Sequence, residues 1–104
     1  MDIEVKGVHF EVSDHTRDVI DKKLLRLGFA KDLIVDQLFT LTKTKNGYKV
    51  ESNTNFRWGM SAHIRVDSIA LTEGLDILFD KLEQKIRKEK EKIQEHTPHS
   101  PLPE

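Results

Sequence analysis

One flank of a predicted helix near the carboxyl end of the chain carries a row of lysines. The segment is DKLEQKIRKEKEKIQEH, residues 80–96, and the row consists of Lys81, Lys85, Lys88 and Lys92. At about 100° per residue, Lys85, Lys88 and Lys92 fall within roughly 40° of Lys81 around the helix. A row of ammonium groups suits phosphate binding, because it displaces counterions from a nucleic-acid backbone. Lysines at this spacing also occur in helices that bind nothing, so the row alone leaves both interpretations open.

A second basic cluster lies in an earlier predicted helix, SDHTRDVIDKKLLRLG, residues 13–28. Its members are Lys22, Lys23 and Arg26, which share a face beside the apolar positions. In a two-layer domain the two helices lie side by side on the sheet. We therefore expect the two basic flanks to form one continuous patch that binds an anionic partner.

The turn NFRWG, residues 55–59, is a candidate contact for an unpaired RNA base. Trp58 directly follows Arg57, and an exposed aromatic ring beside an arginine can stack on a base. The alternative is that Phe56 and Trp58 fold back and cover the core. Base stacking at Trp58 is kept as a hypothesis beside that alternative.

No motif in the sequence indicates catalysis, metal binding or a cofactor. The chain has no cysteine, and its histidines lack the spacing of metal ligands. They are His9, His15, His63, His96 and His99. There is no glycine-rich phosphate loop and no nucleophile elbow. We predict a binding protein that is not an enzyme and holds no metal or cofactor.

Hydrophobic periodicity predicts the elements that position these residues. Two strand-like pieces are predicted at residues 3–5 and 8–12, with a bulge or bend at Gly7 between them, and the first helix is predicted to end at Gly28. Alternation then predicts three strands, with an Asn46-Gly47 hairpin turn after the first of them. A long final helix follows. The residues predicted to share the buried side of the strand after the first helix are Val35, Gln37, Phe39 and Leu41.

The order strand, helix, three strands, helix predicts an α+β fold. The simplest closure is a βαβββα two-layer sandwich, a four-stranded mixed sheet with two helices on one face. A length of 104 residues fits one domain, which we place at residues 1–96. All three prolines fall in the last seven residues, so residues 97–104 are predicted to be a disordered tail.

Charge and hydropathy restrict the range of partners. The formal net charge is −1, which argues against a uniformly basic nucleic-acid binder but allows a local basic patch. No apolar run approaches the ~20 residues that a membrane span needs. The amino terminus has no apolar signal-peptide core. We expect a soluble cytoplasmic protein with no membrane contact.

Three segments together resemble one known family. They are FEVSDHTRDVIDKKLLRL, the Asn46-Gly47 hairpin and DKLEQKIRKEKEKIQEH. The resemblance, over residues 3–96, is to the short bacterial ribosome hibernation factors, which are the hibernation-promoting factor and ribosome-associated inhibitor proteins of the sigma-54 modulation protein family. Members carry lysines at the positions of Lys88, Lys90 and Lys92, and basic residues at those of Lys23 and Arg26.

The resemblance implies a fold similar to double-stranded RNA-binding domains and a role in translation. A protein of this family would bind the small ribosomal subunit, its rRNA and its proteins, in the channel used by mRNA and tRNA. It would then inhibit translation sterically, act as a monomer in solution and preserve idle ribosomes. The rRNA-binding residues implied are Lys22, Lys23, Arg26, Lys81, Lys85, Lys88, Lys90 and Lys92.

Some features leave other functions open. Gly74 stands where family members usually have alanine, and a glycine there costs about 1 kcal/mol in helix propensity. It therefore indicates a close approach by a neighbouring element or by RNA.

The main alternative function is a non-catalytic protein–protein or oligomerisation module of the same fold. A general binder of double-stranded RNA is a third.

Overall fold

Four strands form a single mixed sheet in the computed structural model, which describes residues 1–95. In chain order the elements are β1 (Asp2–Val8), α1 (Asp14–Leu24), a 3₁₀ segment (Leu25–Leu33), β2 (Ile34–Lys43), β3 (Tyr48–Phe56), β4 (Ser61–Ser68) and α2 (Leu71–Glu95). The strand order is β1-β2-β3-β4; β1 pairs with β2 in parallel, and the other two pairs are antiparallel. The predicted βαβββα arrangement is confirmed.

The first helix is shorter than its sequence pattern predicts. It begins after Ser13, whose Oγ accepts a hydrogen bond from the Thr16 amide at 3.1 Å, a regular amino-terminal cap. It ends at Leu24 rather than Gly28, and the chain continues as the 3₁₀ segment. A 3₁₀ helix has three residues per turn, so it turns Leu27 and Ala30 toward the core together.

The structure differs from the predicted strands in two places. The predicted strand at residues 8–12 does not form; β1 stops at Val8, because His9 adopts the left-handed conformation with φ of 68°. In β2, the pairing shifts between Ile34 and Asp36, as in a β-bulge. Ile34 therefore enters the core, while Val35, predicted to be buried, is 48% exposed.

The core lies between one face of the sheet and the helices. Its ring systems include Phe39 of β2 and Phe79 of α2, which stack with centroids 5.2 Å apart. Three buried polar residues, Gln37, Ser52 and Thr54, also face this layer. The buried apolar residues are Ile20, Leu27, Ala30, Ile34, Phe39, Leu41, Val50, Phe56, Ala62, Val66, Leu75, Leu78, Phe79, Leu82 and Ile86.

The buried polar residues are only partly hydrogen-bonded. The Thr54 hydroxyl donates to the Gln37 side-chain oxygen across the β2–β3 pair. Within residues 1–95, neither Gln37 Nε2 nor Ser52 Oγ has a hydrogen-bond partner. An unpaired buried polar group costs about 1–3 kcal/mol, so this pair of strands contains a local source of instability.

The close approach expected at Gly74 comes from the protein itself. A Cβ at this position in the first turn of α2 would lie 3.0 Å from Cβ of Ser68 and 3.4 Å from Cγ2 of Val50. Glycine thus lets α2 pack tightly against β3 and β4 at the start of the helix.

In residues 1–95, no helix is long and apolar enough to cross a bilayer. The proposed tail at residues 97–104 lies outside the described part of the chain, as do His96 and His99.

Candidate nucleic-acid interface

Helix α2 has two charged flanks on opposite sides of its buried stripe. At 3.6 residues per turn, each flank lies about 110° from the centre of the stripe, in opposite directions. We call one the acidic flank; it consists of Asp76, Asp80 and Glu83. The other is the lysine row, Lys81, Lys85, Lys88 and Lys92. The two flanks therefore face different surroundings.

The acidic flank faces α1 and the 3₁₀ segment, whose cations it binds. Lys23 pairs with the carboxylate of Asp76. Arg26 donates to Asp80 at 2.7 Å and to Glu83 at 3.0 Å. Exposed ion pairs of this kind contribute only about 0–1 kcal/mol each, so their main effect is to neutralise the basic cluster of the first helix.

Glu83 is the centre of this network. Arg87, one turn later on α2, donates to the second oxygen of Glu83 at 3.0 Å. Hydrogen bonds from Arg87 and then from Arg26 lower the pKa of Glu83 below its ordinary value. The hydrogen bond to Asp80 raises the pKa of Arg26. Glu83 and Arg26 are thus both held in their ionised forms at neutral pH.

Lys90 belongs to the same side of α2 as the acidic flank. Its ammonium donates to the main-chain oxygen of Phe29 at 3.4 Å and lies 5.6 Å from the Phe29 ring centroid. The Arg87 guanidinium lies over the same ring at 4.2 Å. Both cations therefore pack on the 3₁₀ segment by cation–π contact.

The prediction of one continuous patch from two helices is wrong. The cluster on the first helix packs against the acidic flank, and the lysine row lies on the far side of α2. Lys23 and Arg26 have intramolecular carboxylate partners. Lys22 is exposed on α1, the element that packs against the acidic-flank side of α2.

The lysine row instead borders a groove with the edge strand β4. The residues that line this β4–α2 groove are His63, Ile64, Arg65, Lys81, Gln84, Lys85 and Lys88. None of the lining residues is acidic. Carboxylates do touch two of them from outside, since Glu51 lies 3.0 Å from His63 Nε2 and Asp67 lies 3.4 Å from Arg65. The groove is therefore a cationic cleft beside an exposed strand.

A buried carboxylate lies under the lysine row. Glu89 is 2% exposed, and one of its oxygens lies 3.3 Å from Lys85 Nζ and 3.4 Å from Lys92 Nζ. In contrast, Lys81 and Lys88 are exposed and form no ion pair with any residue in the range 1–95. These two ammonium groups carry the available positive charge of the row.

Trp58 lies in the turn after β3, where it packs on Phe56. Phe56 is buried, and the indole of Trp58 stacks on its ring with centroids 4.8 Å apart and planes 21° apart. The indole is nevertheless 39% exposed. Gly59, with φ of 86°, allows the tight reversal in which the Phe56 amide donates to the Met60 oxygen at 2.8 Å. Trp58 thus covers Phe56 and also presents surface to solvent.

Sequence reasoning assigns no binding role to three residues that line the groove, His63, Arg65 and Gln84. The signal was available, because a helix that returns along an edge strand places one of its flanks beside the strand's exposed positions. In the described part of the chain, no group of His, Cys, Asp or Glu is arranged to hold a metal ion.

Comparison with known proteins establishes the family. The family model described as sigma 54 modulation protein / S30EA ribosomal protein matches residues 3–94. The chain belongs to this family. A relative from Azotobacter vinelandii, named ribosome hibernation promoting factor, is 27% identical over 92 residues, which are 88% of this chain and 85% of the relative.

Solved structures in the same comparison have the same fold. A ribosomal subunit interface protein from Coxiella burnetii matches with a TM-score of 0.80 at 26% identity, covering 86% of this chain and 98% of that one. The amino-terminal domain of Protein Y from Thermus thermophilus matches with a TM-score of 0.75 at 24% identity, covering 85% and 98%. The second likeness concerns the fold alone.

Proposed function

We propose that this protein is a ribosome hibernation factor that acts in the cytoplasm by binding and not by catalysis. Family membership over residues 3–94 and the similarity to a hibernation promoting factor support a ribosome-associated role. The observation that carries the proposal further is the β4–α2 groove, a cationic cleft whose lining includes no carboxylate. Such a cleft is suited to hold an RNA backbone through its phosphates.

The proposed partner is the small ribosomal subunit, at the channel that mRNA and tRNA occupy. Phosphates of rRNA would bind chiefly to Lys81 and Lys88, because these ammonium groups need not first leave a carboxylate. Lys85 and Lys92 would contribute less, since both already contact Glu89. The proposed role of Lys23, Arg26 and Lys90 is to hold α1 and the 3₁₀ segment against α2. Lys22 would lie at the periphery of the RNA contact.

The proposed mechanism is steric. A monomer bound in the channel prevents mRNA and tRNA from entering, so initiation stops while the subunit stays intact. Recognition by backbone and shape needs no base sequence. The near-zero net charge of the chain limits attraction to other RNA.

Sedimentation with purified small subunits tests the proposal. At low salt we expect the wild-type protein to comigrate with small subunits, and K81E/K88E to remain at the top of the gradient. The matched control is K31E/K45E, which makes the same charge change at two exposed lysines outside the groove. The control should comigrate like wild type and should inhibit initiation in a translation assay.

The alternative of an oligomerisation module makes the opposite prediction. A wild-type protein that stays at the top of the gradient contradicts the ribosome proposal. So does a dimer in solution whose affinity for small subunits is the same for wild type and K81E/K88E.

A further inference from the structure

We infer that the outer face of Trp58 is a stacking platform for an unpaired nucleobase. The inference deepens the proposed function and rests on it, because it identifies what the RNA beside the lysine row would present. Base stacking needs a flat, fixed and accessible π surface. The indole meets these conditions, since Phe56 supports it from one side at 4.8 Å while 39% of the residue remains exposed.

The platform is held in place by the local backbone. Trp58 lies in a tight reversal closed by the hydrogen bonds from the Phe56 amide to Met60 and from the Gly59 amide to Phe56. The amide of Arg57 donates to the oxygen of Leu33 at 3.0 Å, which anchors the turn to the end of the 3₁₀ segment. Little side-chain or loop freedom is therefore lost when a base stacks there.

The lysine row leads toward this turn. The stretch 63–65 of β4 lies beside residues 81–88 of α2, and α2 returns antiparallel to the strand that precedes it. About 10 Å from the middle of the groove, the strand reaches Ser61 and the helix reaches about Glu91. Because Trp58 precedes Ser61, the turn lies beyond Lys88, near the level of Lys92. An RNA strand whose phosphates follow the row would bring a base to the indole.

The surroundings favour a nucleobase over an apolar protein segment. Arg57 is exposed next to the indole and has no ion pair in residues 1–95. An aromatic surface next to a free cation matches a polyanion that carries π systems. A protein ligand would instead need an apolar rim.

Intrinsic fluorescence tests the inference directly, because Trp58 is the single tryptophan of the chain. The probe is a single-stranded oligouridylate of about ten nucleotides, compared at low salt with an abasic strand of equal length and charge. We expect oligouridylate to quench the emission and the abasic strand to leave it unchanged. W58A should weaken oligouridylate binding about 5- to 150-fold, the range for losing one base–aromatic stack.

Two variants distinguish base stacking from a merely structural role of Trp58. If the indole stacks on a base, W58F should keep most of the affinity for oligouridylate, and W58A should bind the abasic strand as wild type does. Unchanged emission with oligouridylate overturns the inference, as does an equal loss of affinity for both strands in W58A. Sedimentation with small subunits separates the two proposals: comigration of wild type without quenching leaves the hibernation proposal standing and removes the stacking site.

Discussion

The salt dependence of ribosome binding is the most direct measure of the β4–α2 groove. The perturbation is the double change K81Q/K88Q, which removes the two ammonium groups of the lysine row that have no ion pair in the described chain. Both side chains are exposed, so the change should have little effect on folding. Any change in binding then reports on the contacts of the groove.

The magnitude follows from counting the cations that line the groove. Arg65, Lys81, Lys85 and Lys88 give an upper limit of four, because Arg65 and Lys85 already contact carboxylates. Each contact to a single-stranded phosphate adds about 0.7 to the log–log salt slope. Four contacts predict a slope of about −2.8, and K81Q/K88Q reduces it to about −1.4. A fourfold rise in salt should therefore weaken wild-type binding about 50-fold and the variant about sevenfold.

The assay is equilibrium binding of labelled protein to small subunits over a fourfold range of salt. K31Q/K45Q is the matched control, since it has the same net charge as the variant. We expect the control to keep the wild-type slope. The reasoning is refuted if the control and the variant lose the same slope, because the effect would then depend on overall charge and not on the groove.

Three further changes test the fold. Because the pKa of Glu83 is lowered, its ion pairs with Arg87 and Arg26 stabilise the protein fully above about pH 4.5, and this stability is lost as the pH falls through the lowered pKa. E83Q should therefore lower the melting temperature at pH 7. It should also flatten the fall of the melting temperature below pH ~4.5. T54V should cost about 1–3 kcal/mol in urea unfolding by removing the donor to Gln37, and Q37L/T54V should recover most of that loss. G74A should gain about 1 kcal/mol of helix propensity but lose about 1–3 kcal/mol by overpacking, a net decrease in stability by the same measurement.

Each of these predictions has a contradicting outcome. If E83Q keeps the wild-type slope of melting temperature against pH, the carboxylate is not held by its arginines. Equal stability of T54V and wild type would mean that the Gln37 oxygen has another donor. A G74A variant more stable than wild type would mean that Ser68 moves away without cost.

The order of the elements could be predicted because the period of the hydrophobic residues, alternating in strands and helical in helices, indicates which side of each element is buried. Gln37, Phe39 and Leu41 alternate as predicted. Val35 does not, because the register shift beside it depends on how Ile34 pairs with β3. Such a shift depends on how two strands pair, so it cannot be detected in the hydrophobic alternation of one strand.

The arrangement of the charges was harder to predict than the fold. Helical periodicity gives the flanks of each helix, but it does not tell which flank faces a neighbour. The available signal was the acidic flank, in which Asp80 and Glu83 are three residues apart, as Lys23 and Arg26 are. Opposite charges at matching positions on adjacent elements can pair, and Lys23 and Arg26 accordingly bind Asp76, Asp80 and Glu83. The lysine row had no such counterpart on α1.

Glu89 determines how the positive charge is distributed along the groove. Along α2 the lysine row alternates between Lys81 and Lys88, which have no ion pair in the described chain, and Lys85 and Lys92, which share the one carboxylate of Glu89. Lys81 and Lys88 are about 10 Å apart along the axis. If the groove binds a phosphate backbone as proposed, phosphates at that separation would bind best, and the buried carboxylate would make affinity depend on phosphate spacing.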